Sequence, residues 1–220
     1  MLLEGGRTVH SRFKISLTLD KQSIGKIKCT DPMFEVLQRT KVIIWNEVPM
    51  QHKLGIIAVD RNLRDLLNND RSFGGITVVF GGDFRQTLPV IPKGSREQTI
   101  AASLCKSNLW SQVEVHYLKQ NMHLNRTPDS DQHAAWLLKI GAGTDVDDQE
   151  MIELPETMCC AEKTLDSLIG SIYNGISDNT PKDDQYFLDQ TILCGINKDV
   201  DAINDIFLDK LYPNIQTHVK

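Results

Sequence analysis

Two short strings in this 220-residue chain carry side chains suited to chemistry at the end of a β-strand. The first is Asn46-Glu47, directly after the apolar run Val42-Ile43-Ile44-Trp45. Hydrolytic sites place a pair of carboxylates at such a position, one to hold a metal ion and one to accept a proton from water. Here the first of the pair is an amide, and a hydrophobic-Asn-Glu string by itself equally describes a solvent-exposed loop. The second is Gly81-Gly82-Asp83-Phe84-Arg85-Gln86, running on through Leu88-Pro89-Val90. Paired glycines let a strand end in a tight turn. That turn presents Asp83, Arg85 and Gln86 together at the rim of a sheet.

Such residues need a sheet to hold them, and the apolar pattern supplies one. The stretch 41–46 reads as a strand, stopped by Glu47 and Pro49. A helix follows with Leu54, Ile57, Ala58, Leu63, Leu66 and Leu67 roughly on one face, ended by Asn68-Asn69-Asp70. A second strand is expected over 76–80. A third is expected at Val113–Leu118, after a helix carrying Ile100, Leu104 and the nearby Leu109. Apolar strands separated by helices imply a mostly parallel sheet with helices on both faces. Ligands bind such sheets beyond the carboxyl ends of the strands, where both polar strings fall.

From 141 to 160 the texture turns to Gly, Asp and Pro, and a linker or acidic loop is expected, with another at 178–185. A last unit begins with strand-like Thr191–Cys194 and continues into a helix with Val200, Ile203, Phe207 and Leu211. No internal repeat or low-complexity segment is visible.

Composition narrows the class. Apolar residues make up 40% of the chain and charged residues 24%, which suits a folded domain with a core rather than a disordered segment. The longest apolar runs are strand-sized, far short of a membrane span. No basic-then-apolar leader follows Met1, so secretion is not expected. Five cysteines at 29, 105, 159, 160 and 194 form no CxxC pair, which fits a reduced intracellular compartment better than a disulfide framework. The net charge of -5 divides unevenly. Residues 1–126 hold 18 Lys and Arg against 11 Asp and Glu, and residues 127–220 hold 6 against 18. The split describes either two separately solvated surfaces or a basic first part that faces a polyanion.

Five strings occur in order: residues 6–15 (GRTVHSRFKI), 43–50 (IIWNEVPM), 80–96 (FGGDFRQTLPVIPKGSR), 118–124 (LKQNMHL) and 192–204 (ILCGINKDVDAIN). Together they closely resemble the Pif-type ATP-dependent DNA helicases of superfamily one, nearest the branch carried by Helitron transposons. The resemblance spans essentially the whole chain, and the third string is its most diagnostic part. It implies an α/β fold with a RecA-like, P-loop NTPase-type parallel sheet and flanking helices. It also implies ATP and Mg²⁺ as cofactors, single-stranded or forked DNA as partner, roles in DNA repair and recombination, and a nuclear location. No membrane association and no obligate protein partner are implied.

Site residues follow position by position. Asn46 and Glu47 match the Walker B Asp-Glu pair, with Mg²⁺ held at Asn46 and Glu47 and with Glu47 catalytic. Gln86 matches the glutamine that senses the γ-phosphate, and Asp83 and Arg85 flank it. His123 matches an arginine that contacts the γ-phosphate. The 6–15 segment matches an element that contacts single-stranded DNA, with Thr8, His10, Ser11 and Arg12 as candidates; Phe13 either stacks there or packs. Asn197 matches the opening of the second RecA-like domain. The expected division is an incomplete first RecA-like domain over 1–140, an acidic linker and helix over 141–189, and the start of a second RecA-like domain over 190–220.

The departures are as specific. The family's first motif is a Gly-rich loop that wraps phosphates in backbone N–H groups. No G-x-x-x-x-G-K-[ST] string occurs in these residues; the one Gly-Lys is Gly25-Lys26, followed by Ile27 and with Asp20 at the first glycine's place. Asn46 removes a negative charge from the metal site, and His123 lacks a guanidinium's fork. The expectation is therefore a truncated, degenerate copy that lacks the first strand and phosphate loop and does not turn over ATP alone. A single-stranded-DNA-binding module without ATPase, or a transposon-derived remnant without function, are the alternatives. Cys159-Cys160 reads as free thiols, His116 as a core or edge histidine in a strand, and Trp45, Trp110 and Trp136 as packing residues.

Overall fold

The computed structural model describes residues 5–122, 124, 127–147, 151–160, 162–176 and 182–212. The chain forms two compact units that divide after Asp145.

In the first unit, helix α1 (Val9–Phe13) and helix α2 (Pro32–Arg39) precede strand β1 (Val42–Trp45). Both helices are capped as their sequences direct. Thr8 accepts from the Ser11 N–H, and Asp31 accepts from the Met33 N–H ahead of Pro32. Helix α3 (Lys53–Leu67) then leads to strand β2 (Thr77–Phe80). At its N-terminus the His52 Nδ1 accepts from the Leu54 N–H at 3.0 Å, and Asn68 closes the other end in the left-handed conformation.

The strands are parallel and in direct register, Val42 opposite Thr77 and Trp45 opposite Phe80. Ile43, Trp45, Val78 and Phe80 point into one cluster with Ile56, Val59 and Leu63 of α3. On the opposite face Val42, Ile44 and Val79 are at least half exposed, so among the described residues helices cover one face. The α/β class read from the sequence stands, on a sheet of two strands. The buried face of α3 centres on Ile56, Ala58, Val59 and Leu63, while Leu54, Ile57, Leu66 and Leu67 lie half-buried at its borders.

The entry to β2 depends on a buried carboxylate. Asp60 on α3 accepts from the Phe73 N–H at 2.6 Å and from the Arg64 Nε at 3.1 Å. This holds the 3₁₀ turn Ser72–Gly75, in which Phe73 takes a left-handed φ of 54°. A non-glycine residue keeps such a conformation only where its surroundings impose it. Phe73 then packs edge-on against Phe80 at 5.9 Å.

After β2 come helix α4 (Arg96–Ala102) with a capping box at Ser95, two 3₁₀ turns over 104–112, and helix α5 (Pro128–Ala142). Residues 113–118 correct an expectation: they form no strand, because no neighbouring strand offers them a ladder. Val115, Tyr117 and Leu118 are exposed, and His116 is exposed too, 3.0 Å from the Glu114 carboxylate rather than in a core. The stretch expected as a linker from 141 begins inside α5, whose C-cap is Gly143 at φ 68°.

In the second unit, helices α6 (Leu165–Ile172), α7 (Asp184–Leu188) and α8 (Asn197–Leu211) surround an aromatic group. Tyr173 meets Phe207 at 4.6 Å, and Phe187 meets Phe207 at 6.3 Å. Thr191–Cys194 is not a strand either, for the same want of a ladder partner, whereas the helix expected after it is α8. Among the described residues no helix is long and apolar enough to cross a membrane.

Candidate functional site

Because β1 and β2 are in register, their carboxyl ends are flush and the two polar strings emerge side by side. The Gly81 N–H donates to the Trp45 carbonyl at 2.9 Å, continuing the ladder one residue past β2. The Val48 N–H then donates to the Gly81 carbonyl at 3.0 Å, tying one turn to the other. A Cβ at position 81 would lie 3.3 Å from the Asn46 Oδ1, and one at 82 only 2.3 Å from the Pro49 Cδ. Glycine at 82 is thus a condition for the two turns to meet, with the φ of 149° as a second reason, whereas a side chain at 81 would ask only a small shift of the exposed Asn46 amide.

Glu47 stands at the start of the 3₁₀ helix Val48–Met50 with a left-handed backbone, φ 54° and ψ 39°. A non-glycine residue there costs about 1 kcal/mol. Buried Val48 and Pro49 anchor the turn, while Asn46 and Glu47 are exposed. Across from it, Asp83 is closed on its own loop. Its Oδ1 accepts from the Arg85 backbone N–H at 2.9 Å and from the Arg85 Nε at 3.1 Å. The Arg85 side-chain contact, followed by the Arg85 backbone N–H, holds the Asp83 carboxyl below the usual aspartate range. The Gln86 N–H donates to the Asp83 carbonyl at 3.2 Å, and the Gln86 side chain is exposed.

The strand-contact candidates gather on α1. Ser11 is exposed, and His10 and Arg12 are half-buried. The Thr8 hydroxyl accepts from the Ser11 N–H, and an Arg12 guanidinium nitrogen donates to the Gly5 carbonyl at 2.6 Å. His123 lies outside the described residues. Asn197 begins α8 in the second unit.

Tested for ATP and Mg²⁺, these residues do not make a complete site. Asn46 offers an amide oxygen and Glu47 a single carboxylate, while Asp83 is engaged by Arg85. Among the described residues no group of three His, Cys, Asp or Glu could hold a metal ion. Nor does Gly25-Lys26 offer a phosphate cradle, since its two N–H groups donate to the Ala58 and Lys14 carbonyls, each at 3.3 Å. What the strand ends do present is one unengaged carboxylate, Glu47, and two amides, Asn46 and Gln86, on two turns locked together.

Sequence reasoning missed the Pro49–Gly82 contact and the buried Asp60. Pro49 and Gly82 were read as breaker and turn former, with nothing in their spacing to show that they touch. Asp60, within an apolar helical face and four residues before Arg64, carries a visible signal, since an aspartate so placed needs partners.

A parallel α/β unit with polar turns at its carboxyl ends is the class that the nucleotide-driven motors share, and comparison with known proteins gives the family. The family model for PIF1-like helicases matches residues 1–151, and the chain belongs to that family. The ATP-dependent DNA helicase Pif1 of Psychrobacter sp. (strain PRwf-1) is 30% identical over 117 residues, which is 52% of this chain and 18% of that protein. The ATP-dependent DNA helicase PIF1 of Candida albicans is 34% identical over 97 residues, 43% of this chain and 11% of that protein. Among solved structures, the Bacteroides Pif1 helicase in complex with ADP-AlF3 and ssDNA superposes with a TM-score of 0.64 at 20% identity, covering 98% of this chain and 45% of that one. The Candida albicans Pif1 helicase superposes at 0.58 and 19% identity, covering 93% of this chain and 41% of that one. The structural likeness shows a shared fold. The chain spans less than a fifth of these curated relatives and less than half of these solved structures.

Proposed function

We propose that this chain is a working part of a DNA helicase motor. ATP-dependent DNA unwinding, with single-stranded or forked DNA as the partner, is the activity of the larger protein whose likeness it carries. The observation that supports this best is the hydrogen-bonded meeting of the Glu47 turn with the Gln86 loop at flush strand ends. In this reading Asn46, Glu47, Asp83, Gln86 and His123 line the nucleotide side, and Thr8, His10, Ser11 and Arg12 face the strand. Residues 1–140 are an incomplete first RecA-like domain, 141–189 a connecting segment, and 190–220 the opening of a second such domain. In this reading the larger protein stands nearest the Helitron-borne branch and acts on nuclear DNA in repair and recombination.

We further propose that these 220 residues alone do not hydrolyse ATP. Phosphoryl transfer relies almost wholly on positioning and charge neutralisation, and the backbone cradle for the phosphates is not among these residues. The basic first part and the closed Asp83–Arg85 pair favour, as the second reading, a strand-binding module without turnover. Phosphate release in the presence of single-stranded DNA tests the assignment. We expect background rates from the unmodified chain, also after Asn46→Asp and His123→Arg. We expect hydrolysis once a family phosphate loop, first strand and complete second domain are joined to that double variant. If the unmodified chain hydrolyses ATP and Glu47→Gln abolishes it, the proposal that these residues alone do not turn over ATP fails.

A further inference from the structure

Helix α1 is five residues long and has one buried side chain, Phe13. Its C-terminus turns immediately, with Lys14 left-handed at φ 51° and paired with Asp31. A helix this short does not hold its shape unaided, so its place in the fold is set by the seat of its buried residue. That seat is Trp45. The two rings are stacked with centroids 6.1 Å apart and planes within 16°. The indole also meets Phe80 at 6.0 Å.

Trp45 is the last residue of β1, directly before Asn46 and Glu47, and Phe80 is the last of β2, directly before Gly81. One buried indole therefore touches the helix bearing His10, Ser11 and Arg12 and also the ends of both strands that bear the polar turns. Interiors packed this closely pass displacement on rather than absorb it. Two nearly parallel rings present flat faces to each other, whereas a leucine of similar bulk would present rotamers instead of a flat face.

We propose that Phe13 is a positioning residue, which couples contact of a DNA strand with α1 to the setting of the Asn46-Glu47 turn through Trp45. This rests on the reading above that α1 meets single-stranded DNA.

The test uses the full chain carrying Trp110→Phe and Trp136→Phe, so that Trp45 alone emits. A labelled oligo-dT is titrated in, with binding read from anisotropy and Trp45 emission recorded in the same samples. The expected result is a shift of Trp45 emission that tracks binding. Adding Phe13→Leu should leave the oligonucleotide bound and the far-ultraviolet circular dichroism unchanged, while the shift is lost. Phe13→Tyr, which keeps the ring, should keep the shift. Binding with flat Trp45 emission while Phe13 is intact overturns the coupling, whatever the variants do. So does a shift that survives Phe13→Leu. Absence of oligonucleotide binding is a different result: it removes the strand-contact reading itself, and the coupling with it.

Discussion

Gly82 and Pro49 are packed so closely that a Cβ on residue 82 would stand 2.3 Å from the proline Cδ. The contact joins the loop bearing Gln86 to the turn bearing Glu47 and leaves no room for a side chain between them. Gly82→Ala meets this clash together with the φ of 149°. The expected cost is about 2 kcal/mol or more of unfolding free energy. Gly143→Ala is the control: its φ is 68° but nothing lies within 4 Å, so only the backbone term of about 1 kcal/mol remains. Urea denaturation of the two variants checks the difference.

Glu47 shows the converse. Its left-handed backbone is a local cost, so Glu47→Gly should raise stability by up to about 1 kcal/mol while removing the only carboxylate at the end of β1. Glu47→Gln keeps the strain and should leave stability nearly unchanged. An equal effect of both changes in urea denaturation would show that the turn is not strained.

Asp60 holds the Phe73 N–H and Arg64 from a buried position. Asp60→Ala leaves that N–H without a partner and frees the left-handed turn at Phe73, at an expected cost of about 2–4 kcal/mol. Thermal unfolding of the variant measures it.

His52 makes the start of α3 sensitive to pH. Burial first, and the neighbouring Lys53 second, lower its pKa below the ordinary histidine value. Its neutral Nδ1 accepts from the Leu54 N–H, and a protonated ring cannot. The fold therefore favours the neutral form. The stabilisation is fully present above about pH 6.5 and is lost as pH falls through the depressed native value. His52→Asn keeps a capping oxygen and should remove this part of the pH dependence, whereas His52→Ala should cost about 1 kcal/mol at pH 7.5. Stability measured against pH for the three proteins decides it.

How far the sequence could be read follows from what each feature depends on. The strand before Asn46, the strand before Gly81 and the helix between them are local patterns, and all three stand. The meeting of Asn46-Glu47 with Gly81-Asp83 was also visible, because parallel strands linked by a helix bring their carboxyl ends to one edge. Val113–Leu118 and Thr191–Cys194 have the composition of strands, but a strand exists only with a partner, and composition carries no partner. The closing of Asp83 by Arg85 is a two-residue arrangement that the string contains but does not announce. The stack of Phe13 on Trp45 spans residues far apart in sequence, and so left Phe13 open between packing and DNA stacking.

In the proposed function the first unit meets a DNA strand with α1 and its basic surroundings. The most direct measurement is the affinity of the 220-residue chain for single-stranded DNA across a salt series, repeated with Arg7 and Arg12 both changed to Ala. The expected result is weak binding that falls steeply with salt, because each phosphate contact contributes roughly 0.7 to the log-log slope for single strands. A shallower slope is expected for the double variant. Binding that ignores salt, or a slope that the two changes leave untouched, would contradict this reading.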